Sequence, residues 1–373
     1  MTPKKLFDLE ITNMQSDLVL HQQQTLPPLQ WPQAAEAPPE PKSRIQRNPN
    51  EKRLRRISTR QTNPSWGKDY IPSILAVRGE APSASHALTI TPEKLGGREV
   101  HLLSLAECSA AILGLYHPDS VGLQEQRAFS RGGSPHPLHN FEAASPVGLH
   151  PLKGIIDVAD RLGYLEALPK VKIKDASATC GYRWVVFPFI GDLLWAMRAM
   201  DGHLYCVNWS VKDSEDAFKR PLECKRFITP KGKLAEGVLV RHELESRYYL
   251  DALIRTVFVA ADTIDQHVRS NLRQLFLHHG RKVSLSSVEQ EELTERFRIC
   301  LESGVPAFEL IAKLTGARKY SLDDCRNVFY QAIWYRRLRV DLFRPILIDR
   351  PLNPETRDVL VVYADWFKEL ASC

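Results

Sequence analysis

The spacing of apolar residues predicts alternating helices and strands from about residue 98 onward. The segment SLAECSAAILGLYH has apolar residues at helical intervals, with Ser104 as a plausible N-cap, and VGLQEQRAF alternates as a strand does. Two more strands are predicted in YRWVVFPFIGDLLWAM and HLYCVNWSVK, followed by a helix in RHELESRYYLDAL and a buried strand in IRTVFVA. The predicted order is helix, three strands, helix and strand, which indicates an α/β domain.

The strand predicted in residues 204–212 has two different faces, because neighbouring side chains of a strand point to opposite sides. One face is bulky and apolar and is predicted to be buried. It consists of Tyr205, Val207, Trp209 and Val211. The other face is small and polar, as the wall of a cleft would be. It consists of Cys206, Asn208, Ser210 and Lys212.

The dipeptide Asp201-Gly202 between two predicted strands indicates a β-hairpin, and its loop length sets the register. A two-residue loop would pair Asp192 with Val211, on the apolar face. A three-residue loop with Gly202 in the left-handed conformation would pair Asp192 with Ser210 and place it beside Lys212. We predict the three-residue loop.

The rest of the chain divides into an arm, an insertion and a helical region. Residues 1–75 begin with a Pro-rich stretch and are predicted to be a flexible arm. Residues 76–262 form the α/β domain, with a Gly/Pro/His-rich insertion at 130–182 that carries one helix. Residues 263–373 contain four predicted helices and then RVDLFRPILID, which reads as strand-like. Helices followed by a short strand pair are the layout of a winged helix.

Composition limits the class of protein only broadly. The 373 residues are 43% hydrophobic and 25% charged, and the net charge of +6 permits a nucleic-acid partner without demonstrating one. The seven cysteines include no C-x-x-C pair, so reduced thiols are expected rather than disulfides or a zinc cluster. Without a predicted signal peptide or membrane span, we expect a cytoplasmic protein with no membrane partner.

Basic residues are concentrated near the end of the predicted arm. Residues 42–60 contain eight lysines and arginines and one acid. Such a segment can neutralise DNA phosphates without reading sequence, or it can be a solvated tail, and the two interpretations are equally open. The candidate DNA-binding residues are Lys52, Arg53, Arg55 and Arg56.

Two carboxylates and a lysine supply the minimum chemistry for metal-dependent phosphodiester hydrolysis. Mg²⁺ prefers oxygen ligands, and a nearby lysine can stabilise negative charge that develops on a phosphate. The candidates are Glu107, Asp192 and Lys212. Each has a simpler explanation alone, and Glu107 could merely complete a capping box with Ser104. The element order and the hairpin register together favour the catalytic interpretation.

The stretch from residue 103 to 259 resembles the TnsA family, the endonuclease subunit of heteromeric transposases. The resemblance is carried by SLAECSAAILGLYHPDSVGLQEQ, by the aspartate of IGDLLWAM, by LYCVNWSVKDSED and by RHELESRYYLDALIRTVFV. It implies a restriction-endonuclease-like core of the PD-(D/E)xK type, in the order α-β-β-β-α-β, and a winged-helix-like C-terminal domain. None of these motifs is specific for the family by itself, but the four segments in this order are more specific than any one of them.

The resemblance also implies an activity and partners. TnsA-like proteins cut the 5′, non-transferred strand at transposon ends with Mg²⁺, for which Mn²⁺ could substitute, at a site for up to two ions. They act with a TnsB-like transposase on double-stranded transposon-end DNA and contact a TnsC-like AAA+ ATPase through the C-terminal domain. A location on DNA in the bacterial cytoplasm is implied.

Carried over to this chain, Glu107 and Asp192 would be metal ligands and Lys212 the motif lysine. One position departs from the family pattern, because Ser210 stands where Gln or Glu is expected two residues before the lysine. A hydroxyl is a weaker Mg²⁺ ligand than a carboxylate. The backbone carbonyl of Val211 could serve as a ligand instead, with Ser210 assisting through water.

Three other functions remain open from the sequence. The first is a catalytically inactive adaptor between DNA and the regulatory ATPase, which the serine at position 210 keeps in consideration. The second is a stand-alone restriction or repair nuclease that cuts without partners. The third, a winged-helix transcription factor, leaves the two carboxylates and the lysine unexplained.

Overall fold

A computed structural model describes residues 49–82, 85–145, 148–219 and 233–371, and only the backbone of 233–239. The Pro-rich stretch predicted in the arm lies outside these residues. The helices are α1 (Glu51–Gln61), α2 (Leu105–Tyr116), α3 (Ile155–Arg161), α4 (Asp216–Lys219), α5 (Lys233–Leu250), α6 (Gln266–Phe276), α7 (Ser287–Ser303), α8 (Ala307–Gly316), α9 (Leu322–Trp334) and α10 (Val359–Val362). The strands are β1 (Leu88–Ile90), β2 (Val100–Leu102), β3 (Ser120–Glu125), β4 (Lys170–Lys174), β5 (Tyr182–Val186), β6 (Leu193–Arg198), β7 (Leu204–Lys212) and β8 (Arg255–Ala260).

A four-stranded mixed sheet in the order β3-β6-β7-β8 forms the centre of the fold. β3, β6 and β7 are antiparallel neighbours, whereas β8 runs parallel to β7 after the crossover through α5. The predicted α/β class is therefore confirmed, and the predicted order of helix, three strands, helix and strand is present as α2, β3, β6, β7, α5 and β8.

Helices cover both faces of this sheet. α2 packs on the side of Trp195, Val207 and Trp209, and α5 packs on the side of Leu194 and Cys206 through side chains of its C-terminal half. The prediction that the small polar face of β7 forms a cleft wall was wrong along most of its length. α5 carries Leu244, Tyr248 and Tyr249, and these large side chains bury that face.

The segment YRWVVFPFIGDLLWAM contains two strands rather than the single one predicted. β5 pairs with β4 in a separate two-stranded sheet, and β6 joins the central sheet. Pro188 lies between them and has no N–H to donate to a ladder, so a continuous strand is unfavourable there.

A helix occupies part of the segment predicted as a flexible arm. In α1, the side chain of Asn50 caps the N-terminus by accepting from the Arg53 amide at 2.9 Å. Leu54 and Ile57 on its apolar side are buried against the β4–β5 hairpin, in a small cluster with Val171. The basic residues of α1 therefore stand on an ordered surface.

The C-terminal third is helical from α6 to α9, as predicted. The strand pair expected after α9 is not formed in residues 339–371, where the structure has a single isolated bridge between Val340 and Pro354. Prolines at 345, 351 and 354 remove backbone donors from this segment, which accounts for the absence of a ladder. The wing of the predicted winged helix is thus missing from this part of the chain.

One hydrophobic cluster extends from β2 to the last described residues. It joins the α2 side of the sheet to α6, α7, α8 and α9, and it includes Phe367 near the C-terminus. The C-terminal segment also bonds to the sheet, because the Trp209 indole donates to the Trp366 carbonyl at 2.8 Å. A boundary near residue 262 stays a prediction, since no gap in the core marks it.

Candidate active site

The hairpin register brings Asp192 next to Lys212. Leu193 pairs with Trp209 and Arg198 with Leu204, so Asp192 stands opposite Ser210, as predicted. The Ala199 amide donates to the His203 carbonyl at 2.8 Å, which leaves a loop of three residues, 200–202. Gly202 has a φ of 92°, a conformation that glycine adopts without steric cost.

Asp192 and Lys212 are held at the exposed end of this hairpin. The Asp192 carboxylate accepts from the Val211 backbone N–H at 2.7 Å, through Oδ2. Lys212 Nζ lies 3.5 Å from the same oxygen and donates to the Val211 carbonyl at 2.9 Å. The lysine side chain is 29% exposed and that of the aspartate 14%. The pair is therefore fixed in position yet open to solvent.

Glu107 reaches the same place from the first turn of α2. The Ser104 hydroxyl caps this helix by accepting from the Glu107 amide at 3.1 Å, which is half of the capping box foreseen in the sequence. The carboxylate of Glu107, however, accepts from the Leu103 amide at 2.8 Å and from the Gln126 side chain at 2.9 Å. Burial and the negative charge of Asp192 raise the pKa of Glu107 to about 8.

Gln126 connects the two carboxylate residues and was not singled out from the sequence. Its side chain donates to Glu107, and its backbone N–H donates to the Asp192 carbonyl at 2.9 Å. Its φ of 50° places it in the left-handed region, which is uncommon for a residue other than glycine. A strained backbone at such a position is typical of functional sites.

A second polar layer lies beneath β7, against α5. Asn208 is fully buried and donates to Glu245 Oε1 at 3.0 Å. Burial, and then the charge of Asp192, raise the pKa of Glu245. Glu245 was not proposed as a site residue from the sequence, although its position on the helix face that carries Leu244 and Tyr248 was the available signal.

His242 on α5 also faces this layer. It packs between the rings of Phe218 and Phe258, and neither ring nitrogen has a hydrogen-bond partner among the described residues. Burial and the positive charge of Lys212 lower its pKa to about 4, so the imidazole is neutral at physiological pH. Ser210, which was predicted to assist a metal, is 2% exposed beneath α5.

The donor set at this site suits a weakly held Mg²⁺ rather than a closed metal cage. Within residues 49–371 as far as they are described, no group of three or more His, Cys, Asp or Glu side chains could hold a metal ion. The carboxylates of Glu107 and Asp192 and the Val211 carbonyl remain as oxygen donors. Mg²⁺ is commonly bound by one or two carboxylates, with water and substrate phosphates completing its shell, so the residues fit it.

The predicted DNA-binding residues lie on α1, which carries none of the three residues Glu107, Asp192 and Lys212. Lys52 and Arg55 are exposed, and Arg55 pairs with Glu51 at 2.6 Å. Arg56 pairs with Glu80 at 2.9 Å, and Arg53 lies over the ring of Phe187. Some of the basic side chains of α1 thus interact with other groups of the protein itself.

No protein-family model matches the sequence, and no curated protein matches it significantly. In the described part of the chain, none of the helices has both the length and the hydropathy needed to cross a membrane.

Proposed function

We propose that this chain is the DNA-cleaving subunit of a heteromeric cut-and-paste transposase, as the sequence resemblance to TnsA implies. Its substrate would be the 5′ strand at double-stranded transposon ends, and its partners a TnsB-like transposase and a TnsC-like ATPase. The central sheet with α2 and α5 would be a restriction-endonuclease-like core. The observation that carries the proposal is the convergence of Glu107, Asp192 and Lys212 from three separate elements.

The arrangement supports phosphodiester hydrolysis because each side chain is positioned for a distinct task. Lys212 is held by Asp192 and the Val211 carbonyl with a third of its surface free, so its ammonium can stabilise negative charge on a phosphate. Asp192 uses Oδ2 for the Val211 amide, which leaves Oδ1 without a hydrogen bond among the described residues. Glu107 offers Oε1, whose only contact there is a long one to Ser104.

A bound Mg²⁺ would be held by Glu107, Asp192 and the Val211 carbonyl, and it would supply Lewis-acid activation of water and charge neutralisation. To expose its carbonyl, Val211 must release the Lys212 ammonium, which can then turn toward the substrate. Glu107 must lose its proton to become a ligand, so we expect metal affinity to increase as pH approaches 8.

Strand-specific cleavage of transposon-end DNA tests this proposal. The wild type and Asp192→Ala would be incubated with Mg²⁺, the DNA and the TnsB-like and TnsC-like proteins of the same element. We expect 5′-strand cuts only with the wild type and 3′-strand cuts with both, and loss of Asp192 should reduce 5′ cutting at least about 100-fold. Glu302→Gln on the exposed side of α7 is the matched control for loss of one carboxylate.

Two other outcomes would support different functions. If the chain joins the complex but the 5′ strand is never cut, the adaptor function is favoured, and the serine at 210 would be the natural reason. Cutting of DNA by the chain alone, without partners, would instead indicate a stand-alone nuclease.

A further inference from the structure

The β4–β5 hairpin has an exposed face that is both basic and aromatic. Lys170, Lys172 and Lys174 alternate along β4 and therefore point to one side. The facing residues of β5 on that side include Trp184, opposite Lys172, and Tyr182, opposite Lys174. All five side chains are exposed, and Trp184 is 67% exposed.

The opposite face of the hairpin accounts for its folding. Val171, Ile173 and Val185 pack with Leu54 and Ile57 of α1. The exposed face therefore contributes little to the hydrophobic core. Because the Trp184 indole stays in water, it does not stabilise the fold through burial. An exposed tryptophan within a row of lysines is more typical of a binding surface than of a solvated one.

Acidic residues neutralise this face only in part. Lys170 is 3.3 Å from Glu166, a surface pair of small strength. Lys172 lies over the ring of Tyr182 at 4.5 Å, and Lys174 contributes only its backbone N–H to Glu51. The same Glu51 pairs with Arg55, so the exposed basic residues of α1 lie beside the hairpin.

We infer that this face binds the phosphate backbone of duplex DNA, with Lys170, Lys172 and Lys174 along one strand and Trp184 against the sugars. The inference rests on the proposed function, since it takes DNA as the substrate. Three lysines at alternate positions span roughly 13 Å, which is the axial length of about four phosphates of one DNA strand. The insertion at 130–182, together with the rest of β5, would then be a DNA-holding extension beside the proposed nuclease core.

Duplex DNA is favoured over single-stranded DNA by the composition of this face. Single-stranded nucleic acid is usually held by several aromatic rings on which successive bases stack. Here the ring of Tyr182 is already covered by Lys172, which leaves Trp184 as the one open ring of the hairpin face. A regular row of cations suits a regular phosphate backbone better.

Salt-dependent DNA binding tests the inference without requiring catalysis. The full chain carrying Asp192→Ala would be titrated with a fluorescent 30-base-pair duplex in EDTA at several salt concentrations. Replacing Lys170, Lys172 and Lys174 with alanine should reduce the slope of log K against log salt by about 2 to 3, because each phosphate contact contributes about 0.9. Trp184→Ala should weaken binding about 3- to 10-fold with little change in slope.

The matched control removes the same charge elsewhere. Lys68, Lys282 and Lys313 are exposed lysines on other segments, and their alanine variants should leave the slope unchanged. An equal decrease in both triple variants, or none in the hairpin variant, would overturn the inference. So would tighter binding of single-stranded DNA with a larger loss from Trp184→Ala. If only the proposed function is wrong, the result is different. The hairpin variant still shows a smaller slope of log K against log salt, but the wild type cuts no DNA.

Discussion

Glu107 retains its proton at pH values where an ordinary glutamate has lost it. Its pKa is raised from 4.5 to about 8 by burial and by the charge of Asp192. Between these two values the folded protein binds a proton that the unfolded chain releases, so stability decreases as pH increases through this window. The same group that would hold a metal therefore destabilises the metal-free protein near pH 8.

Replacing Glu107 with glutamine should reveal the free-energy cost of ionising this buried carboxyl group. Glutamine keeps an oxygen for the Leu103 amide and cannot ionise, so Glu107→Gln should stabilise the metal-free protein at pH 8 by on the order of 2 kcal/mol. At pH 5 the two proteins should differ little. Urea unfolding in EDTA at both pH values measures the difference.

The effect of Mg²⁺ on the free energy of unfolding provides a second test of Glu107. Mg²⁺ should stabilise the wild type at pH 8, because a ligand that binds only the folded state shifts the unfolding equilibrium, and it should not stabilise Glu107→Gln. The exposed variant Glu302→Gln should show neither effect. Equal stability of Glu107→Gln and wild type at pH 8 would mean that folding does not raise the pKa of Glu107.

At the scale of elements, the contact between α2 and the sheet depends on a glycine. A Cβ added to Gly114 would lie only 2.6 Å from Cη2 of Trp195, which is 1% exposed. Because the tryptophan is enclosed, Gly114→Ala should destabilise the protein by about 1–3 kcal/mol despite the better helix propensity of alanine. Displacement of α2 would also move Glu107, so the proposed DNA cleavage should decrease.

A second helical glycine provides the control for this substitution. A Cβ on Gly316 at the end of α8 would meet nothing within 4 Å. Gly316→Ala should therefore be neutral or stabilise by up to about 1 kcal/mol. If thermal unfolding shows the same change for both variants, steric contact with Trp195 is not the reason for glycine at position 114.

Local patterns in the sequence predicted the elements well where local rules apply. The loop between β6 and β7 follows from Asp201 and Gly202 together with the alternation of β7, and it placed Asp192 beside Lys212. Helix α2 and its cap followed from periodicity and Ser104. Such features depend on residues within a few positions of each other.

Features that depend on distant contacts were missed. The polar face of β7 is buried because α5 packs on it. The contact brings Glu245 next to Asn208, 37 residues earlier in the chain. Likewise, the sequence of α1 is mostly basic and polar, but it contains two apolar residues, Leu54 and Ile57. These two side chains are buried by packing against the β4–β5 hairpin. No window of local sequence contains those partners.

On the scale of the whole molecule, the sheet and the C-terminal helices share a core. Leu123 on β3 and Phe329 on α9 are both fully buried members of one cluster. Tyr205 on β7 donates to the Phe367 carbonyl at 2.9 Å, and Arg255 on β8 pairs with Asp365 at 2.6 Å. The C-terminal segment thus returns to the sheet after the last helices.

This shared core predicts that the sheet and the C-terminal helices unfold together. Phe329→Leu on α9 should destabilise by about 1–1.5 kcal/mol and speed amide hydrogen exchange roughly tenfold in β6 and β7 as well as in α9. Phe308→Leu on α8 is the control, because Phe308 is 53% exposed and its truncation should leave exchange unchanged. Faster exchange confined to α9 would instead mean that residues 263–373 open as an independent domain, as the sequence pattern suggested. In that case Glu107 and Asp192 would remain in place when the helices open, whereas a joint transition would couple these two candidate carboxylates to any partner that stabilises α9.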